Sequence, residues 1–170
     1  MKIGIFGGSF NPIHNMHVNI AKELIKKKYL DKVIFVPVGT KYKYKNTLQK
    51  NEDRYNMIEL AIYNEPNLDV SKIELNNEES FTCNTLDYFK KKYQNDQIYL
   101  ICGLDNLSYI DEWNKGEYIL RNYPIITILR KNYNIKSIIA KYKRYKPNII
   151  IANIEENSTS STIISNLIEN

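Results

Sequence analysis

The sequence predicts an α/β fold, a Rossmann-like doubly wound parallel sheet, as a single domain over residues 1–170. Apolar runs of strand length alternate with longer segments of helical period along the chain, which is the pattern of repeated βαβ units. The chain has 170 residues, of which 43% are hydrophobic, so it has the size of one domain and can bury a sizeable core. Such sheets bind ligands outside the carboxyl ends of their strands, where we expect the functional residues.

The pattern of apolar residues in the first half of the chain predicts alternating strands and helices. In the helix after the first strand, apolar residues from Val18 to Ile25 share one side, and Ser80 or Thr82 is suited to begin a later helix. The expected elements are a strand at Lys2–Phe6, a helix at Ile13–Lys27, a strand at Val33–Val36, a lysine-rich loop at Lys41–Asn51, a helix at Glu52–Asn64, an extended segment at Leu68–Leu75 and a helix at Phe81–Tyr93.

The second half of the chain continues the same alternation. Its clearest strand, QIYLIC, runs directly into the segment Gly103-Leu104-Asp105. The expected elements are a strand at Gln97–Cys102, a short helix around Glu117–Arg121, a strand at Ile125–Leu129, a helix within the basic stretch Arg130–Lys146, a strand at Asn148–Ala152 and a closing helix at Ser158–Ile168.

Charge and composition narrow the functional class. The 24 basic and 19 acidic side chains give a net charge of +5, which favours anionic ligands such as nucleotides without being a nucleic-acid signature. The sequence predicts a cytoplasmic protein without a membrane partner. It has only two cysteines, no signal peptide and no apolar run near the roughly 20 residues of a membrane span. The tyrosine-containing basic segments Lys41–Lys50 and Arg130–Lys146 leave an RNA-binding surface as an alternative, although solvated faces explain them more simply.

The only two histidines, His14 and His17, are three positions apart. They open the first helix after Gly7-Gly8-Ser9-Phe10-Asn11-Pro12, where glycines allow a phosphate to approach the backbone and the helix N-terminus attracts an anion. The i, i+3 spacing directs both imidazoles to one face, so we expect both to face the same anion. The alternatives are a tight turn and a zinc site, but structural zinc requires four ligands, and Cys83 and Cys102 belong to other, apolar elements. No metal site is therefore expected.

The pattern Gly-Gly-Ser-Phe-Asn-Pro-x-His-x-x-His resembles the nucleotidyltransferases that carry an HxGH motif and, among them, the bacterial nicotinate-nucleotide adenylyltransferase family. The similarity extends through most of the chain. Further matching segments are Phe35-Val36-Pro37, Arg54 with Met57–Ala61, Val70-Ser71 with Ile73-Glu74, Phe81-Thr82 with Thr85-Leu86, Gly103-x-Asp105-Asn106-Leu107 with Trp113, and Ser160-Ser161-Thr162.

This resemblance implies transfer of AMP from ATP to the phosphate of nicotinate mononucleotide, giving deamido-NAD and pyrophosphate, with Mg²⁺ on the phosphates. It also implies the role of each site residue. His14 and His17 are the catalytic pair that binds ATP phosphates, and Gly7, Gly8, Ser9 and Phe10 shape the nucleotide loop. Gly103 and Asp105 also bind the nucleotide, with Asp105 at the ribose hydroxyls, and Ser161 and Thr162 form a second phosphate cradle. Trp113 stacks on the nicotinate ring, and Thr85 helps to hold its carboxylate. Helix capping or turn formation is the alternative role for Asp105, helix capping for Ser161 and Thr162, and core packing or surface anchoring for Trp113.

Two positions depart from the family pattern. Met16 stands where the family has the motif glycine, and Ser165 stands where an arginine follows the Ser-Ser-Thr segment. Arg130 or one of the lysines Lys41, Lys43 and Lys45 could supply the missing charge, though a lysine lacks the forked geometry of arginine. Two alternatives stay open: a relative acting on a different phosphorylated acceptor, and a nucleotide-binding homologue with weak or no catalysis. A homo-oligomer is also open.

Overall fold

A computed structural model describes residues 1–39, 50–75, 80–129 and 134–154, and the structural statements below concern these residues. The fold has six strands and six α-helices, two of which lie between the fourth and fifth strands, and two single 3₁₀ turns at Ile110–Glu112 and Lys143–Tyr145. The strands are β1 Lys2–Gly8, β2 Lys32–Pro37, β3 Leu68–Val70, β4 Gln97–Ile101, β5 Ile125–Ile128 and β6 Ile149–Ala152. The helices are α1 Asn15–Lys26, α2 Asn51–Ala61, α3 Thr82–Lys92, α4 Leu104–Leu107, α5 Gly116–Asn122 and α6 Ile135–Tyr142.

The strands form one sheet in the order β3-β2-β1-β4-β5-β6, and every pair is parallel. This order confirms the predicted doubly wound α/β fold, because the chain moves outward from β1 first in one direction and then in the other. The direction reverses between β1 and β4. The loops that follow these two strands diverge there and leave a crevice at the edge of the sheet.

Both faces of the sheet are covered, as the apolar strand sequences require. Successive residues of β1 point to opposite faces: Ile3 and Ile5 join a core with α3, α5 and α6, whereas Phe6 packs against a second core with α1 and α2. The other central strands alternate in the same way. The two cores hold β1 rigidly, so the residues at its carboxyl end have a fixed support.

Several predicted boundaries differ from the structure. The extended segment expected at Leu68–Leu75 keeps strand geometry only to Val70, and Leu75 N–H donates to the Lys72 carbonyl in a tight turn. Helix α2 ends at Ala61, three residues before the predicted Asn64, since Glu65 N–H closes a turn on Ile62 just before Pro66. Most of the predicted loop Lys41–Asn51 and all of the predicted helix Ser158–Ile168 lie outside the described residues. Among the described helices, none has the length and apolarity needed to span a membrane.

Candidate active site

A cavity of about 460 Å³ lies at the carboxyl ends of β1 and β4, where the sheet reverses direction. Its wall contains all of the predicted nucleotide-site and catalytic residues that the structure describes. These are Gly7, Gly8, Ser9, Phe10, His14, His17, Gly103 and Asp105. Two segments far apart in sequence thus meet because parallel strands end at the same edge.

The loop after β1 is shaped around the buried ring of Phe10. Phe10 has a φ of 44°, in the left-handed region, and its side chain is only 3% exposed. A Cβ atom on Gly8 would lie 3.2 Å from this ring, so the glycine allows the loop to fold back closely on the aromatic side chain. The N–H of Phe10 has no hydrogen-bond partner among the described residues. The loop therefore brings an unpaired main-chain donor to the cavity wall.

His14 and His17 are joined at the start of α1. His14 is the N-cap, and its main-chain N–H donates to Nδ1 of His17 over 3.2 Å. Because Nδ1 accepts this bond, the ring proton of neutral His17 is on Nε2. The His17 ring also packs edge-on against Phe10 and Phe6, with centroids 5.2 and 5.9 Å away. These contacts restrict the orientation of His17, whose ring centroid lies 5.5 Å from that of His14.

Met16 also lines the cavity. It is half-buried and packs against the core formed by α1, α2 and their face of the sheet. Met16 thus lies between the two histidines in the sequence, and its side chain lines the same cavity as theirs. Because Met16 stands where the family has a glycine, its side chain takes up room beside the cavity that a glycine would leave to a nucleotide.

Gly103 and Asp105 lie on the opposite side of the crevice, after β4. Gly103 is the N-cap of α4, and a Cβ atom there would be 2.7 Å from Oδ1 of Asp105. Asp105 is exposed, so its carboxylate is accessible as a hydrogen-bond acceptor. Cys102 beside it is buried, as predicted from its apolar setting; burial raises the pKa of its thiol to about 12, with a smaller contribution from Asp105. Cys102 is therefore a neutral thiol at physiological pH.

The two predicted acceptor residues do not line this cavity. Thr85 is 4% exposed, its hydroxyl donates to Oε2 of Glu74 over 3.1 Å, and its N–H donates to the Phe81 carbonyl. Both donors of Thr85 are thus engaged within the protein. The threonine at the start of α3 is Thr82, the first helical residue, which is half-exposed. The sequence predicts Thr82 only as a helix cap, although Thr82 stands beside Phe81 in a segment that matches the family.

Trp113 lies next to the start of α3. It follows the 3₁₀ turn, donates its N–H to the Ile110 carbonyl over 3.0 Å, and is half-buried against the same core as Phe81. Cys83 Sγ in the first turn of α3 is 3.6 Å from Oδ1 of Asn114. The helix start and the tryptophan are therefore neighbours, as a shared acceptor site requires. Their contact with an acceptor stays a prediction.

The remaining predicted positions fall outside the described residues. They are Ser161, Thr162, Ser165, Arg130, Lys41, Lys43 and Lys45. Within the described ranges no three His, Cys, Asp or Glu side chains converge in a way that could hold a metal ion.

Comparison with known proteins bears directly on this site. A family model described as Cytidylyltransferase-like matches residues 5–167. The chain belongs to the cytidylyltransferase-like family. This match spans both walls of the cavity and the segment after residue 154, and it confirms the nucleotidyltransferase resemblance of the Gly-Gly-Ser-Phe-Asn-Pro loop.

Curated relatives of this cytidylyltransferase-like chain carry a more specific description. It is 36% identical to a "probable nicotinate-nucleotide adenylyltransferase" of Carboxydothermus hydrogenoformans, over 96% of this chain and 84% of the relative. It is 37% identical to a protein of the same description from Caldicellulosiruptor bescii, over 99% of this chain and 87% of the relative. The predicted relationship to the bacterial nicotinate-nucleotide adenylyltransferases is confirmed.

A solved structure independently supports the fold. The nicotinic acid mononucleotide adenylyltransferase of Plasmodium falciparum, solved as a complex with NaAD, superposes with a TM-score of 0.76. The match covers 91% of this chain and 76% of the other at 24% identity. At that identity the likeness extends to the architecture of the sheet and helices.

Proposed function

We propose that this cytidylyltransferase-like protein transfers AMP from ATP to the phosphate of nicotinate mononucleotide, giving deamido-NAD and pyrophosphate. The observation that carries the proposal is the meeting of the His14–His17 turn with Gly103 and Asp105 around one cavity at the sheet's reversal point. The relatives described as nicotinate-nucleotide adenylyltransferases support the choice of acceptor.

ATP would occupy the cavity between the two loops. The N-terminus of α1 presents main-chain amides and a positive dipole end, which favour phosphate. His17 would donate from Nε2 to a phosphate oxygen because its Nδ1 is already an acceptor, and His14 lines the same cavity. On the other wall, the exposed carboxylate of Asp105 would accept hydrogen bonds from ribose hydroxyls.

The reaction needs no protein nucleophile. An oxygen of the acceptor phosphate forms a bond to the α-phosphorus of ATP, and the bridging bond to the β-phosphate breaks, releasing pyrophosphate with the bonding electron pair. An ionised phosphate needs no general base, so the contribution of His14 and His17 is to position the phosphates and offset developing charge. Mg²⁺ would enter as part of the MgATP substrate and neutralise charge on its phosphate oxygens.

The acceptor would bind beside α3 and Trp113. An aromatic ring stacks favourably on the face of tryptophan, and the nicotinate carboxylate suits the N-terminus of a helix of eleven residues. Thr82 has the more favourable position for a direct contact, since Thr85 is buried against Glu74. Thr85 would then support the helix start from behind.

The proposal is tested by incubating purified protein with ATP, Mg²⁺ and nicotinate mononucleotide and measuring pyrophosphate and deamido-NAD. The same assay run with nicotinamide mononucleotide and other phosphorylated acceptors measures specificity. Equal formation of both products from nicotinate mononucleotide supports the proposal. Product formed only from another acceptor would instead indicate a related nucleotidyltransferase that acts on a different phosphorylated acceptor.

Met16 motivates a second candidate, a nucleotide-binding homologue with weak or no catalysis. Its side chain lines the cavity that ATP would occupy, and relief of such crowding is typically worth 1–3 kcal/mol. Met16→Gly and Met16→Ala should therefore lower the KM for ATP by about fivefold or more. The alanine variant avoids the helix cost of glycine. ATP binding by calorimetry without product in either wild-type or variant protein would favour the second candidate.

A further inference from the structure

Arg54 is a buried cation near the nucleotide loop. Arg54 and Glu74 are the two buried charged residues in the described part of the chain, and Arg54 is 0% exposed. Burial lowers the pKa of the Arg54 guanidinium, yet arginine remains charged in proteins. A buried charge requires strong hydrogen bonds to offset its desolvation, so the partners of Arg54 indicate what it does.

Within the described residues, its partners belong to three separate segments. Nη1 donates to the Ser9 carbonyl over 2.7 Å, and Nη2 donates to the Val38 carbonyl over 2.5 Å and to Oδ1 of Asn51 over 2.9 Å. Asn51 in turn donates from Nδ2 to the Leu75 carbonyl over 3.1 Å. The guanidinium thus fixes the loop after β1, the end of β2 and the start of α2 with charge-assisted bonds.

The bond to the Ser9 carbonyl also determines which way the Ser9–Phe10 peptide points. The Ser9–Phe10 peptide is trans, since the described chain's only cis bond precedes Pro12, and the C=O and N–H of a trans peptide point oppositely. Ser9 and Phe10 line the cavity, whereas Arg54 does not. Directing the Ser9 carbonyl toward Arg54 therefore turns the unpaired Phe10 N–H away from Arg54.

We propose that Arg54 is a positioning residue for ATP: it holds the Ser9–Phe10 peptide so that the Phe10 N–H is presented to a phosphate oxygen. Arg54 itself touches no substrate. The identity of the ligand as a nucleoside triphosphate rests on the proposed function. The guanidinium acts from behind the cavity wall by preventing the peptide from flipping.

The test compares wild-type protein with Arg54→Lys, Arg54→Ala and the matched control Arg121→Lys. Arg121 is exposed and packs over the Tyr145 ring, outside the cavity wall. Lysine supplies the charge but not the planar fork that reaches carbonyls on separate segments, so Arg54→Lys should weaken binding of a non-hydrolysable ATP analogue roughly tenfold by calorimetry. It should raise the KM for ATP similarly and change the KM for the acceptor less than threefold. Arg121→Lys should match wild type.

Chemical rescue separates positioning from general folding. Added guanidinium should recover part of the analogue affinity of Arg54→Ala and leave wild-type and Arg121→Lys affinities unchanged. In labelled wild-type protein, the analogue should shift the Phe10 amide resonance strongly, which tests the proposal even if both variants unfold. An unshifted Phe10 amide, or unchanged affinity in folded Arg54→Lys, would overturn it. If binding of the analogue depends on Arg54 but wild-type protein forms no product, the positioning role of Arg54 is supported and the adenylyltransferase assignment is refuted.

Discussion

The His14 main-chain N–H and the His17 imidazole are joined by a 3.2 Å hydrogen bond at the first turn of α1. The bond links backbone geometry to the tautomer of a side chain, because it makes Nδ1 of His17 an acceptor and leaves the proton on Nε2. Phe6 and Phe10 then hold the ring edge-on from the sheet side. A donor with a fixed direction is suited to a charge that develops in one place.

His17→Ala should reduce kcat/KM about 10- to 100-fold, since it removes one hydrogen bond to a charged group. Pyrophosphate release at varied ATP concentration measures the effect. Asn19→Ala, an exposed position on the same helix, is the control and should leave the rate unchanged. A His17→Ala rate within threefold of wild type would contradict the phosphate-binding role.

Thr82 and Thr85 should respond differently to substitution. Thr82→Ala should raise the KM for nicotinate mononucleotide roughly tenfold, the usual effect of losing a hydrogen bond to a charge, with little change in stability. Thr85→Val should instead lower the free energy of unfolding by about 1–3 kcal/mol, because it leaves the buried Glu74 without one donor. Steady-state kinetics and denaturant titration measure the two effects. The reverse pattern would restore Thr85 as the direct ligand.

Gly116 should not tolerate a side chain. A Cβ atom at this position would lie 1.8 Å from the Ile110 carbonyl oxygen, within the turn that ends at Trp113. Gly116→Ala should therefore cost about 1–3 kcal/mol of stability through overpacking, measured as a lower Tm. Gly7→Ala is a matched stability control, since the atom of the described residues that its Cβ would meet is the Val36 oxygen, at 3.9 Å. Equal Tm values for the two variants would argue against the close approach.

Glu74 should make the free energy of unfolding depend on pH. Burial raises the pKa of its carboxyl above the ordinary 4.5, although hydrogen bonds from Ser80 and Thr85 oppose the shift. The unfolded chain loses this proton at lower pH than the folded protein, so the stability contribution of Glu74 decreases as pH rises above about 4.5 towards the folded pKa. Glu74→Gln removes this dependence while keeping an acceptor.

Denaturant titrations between pH 4 and pH 8 would therefore show Glu74→Gln gaining stability relative to wild type as pH rises. Glu52→Gln, an exposed change in the first turn of α2, provides the control. A constant difference between wild type and Glu74→Gln across the range would show that the buried carboxyl has the same proton affinity in both states.

Strands and the nucleotide loops were predictable because their signals are local. Alternating apolar runs located β1 and β4, and the parallel sheet they imply brings His14 and Asp105 to the same edge whatever the details of packing. The four-residue helix α4 was missed, since one turn of helix is too short to show a period.

Other features depend on contacts that no local pattern encodes. Thr82 and Thr85 lie one turn apart on the same helix, yet Thr85 is buried and bonded to Glu74, which comes from another segment. Arg54 lies in a segment that matches the family, but the sequence predicts no role for it. Its acceptors include main-chain carbonyls, which every residue type possesses, so no residue pattern indicates them. In such cases the deciding partner comes from a distant segment.

Trp113 is the only tryptophan among 170 residues, and it is half-buried beside the start of α3. Its emission under selective excitation therefore comes from one place in the molecule, despite the 14 tyrosines. Ring stacking on this indole would quench that emission, whereas ATP in the cavity between β1 and β4 does not require contact with it. The emission of Trp113 is thus an intrinsic optical reporter for the order in which the two proposed substrates bind.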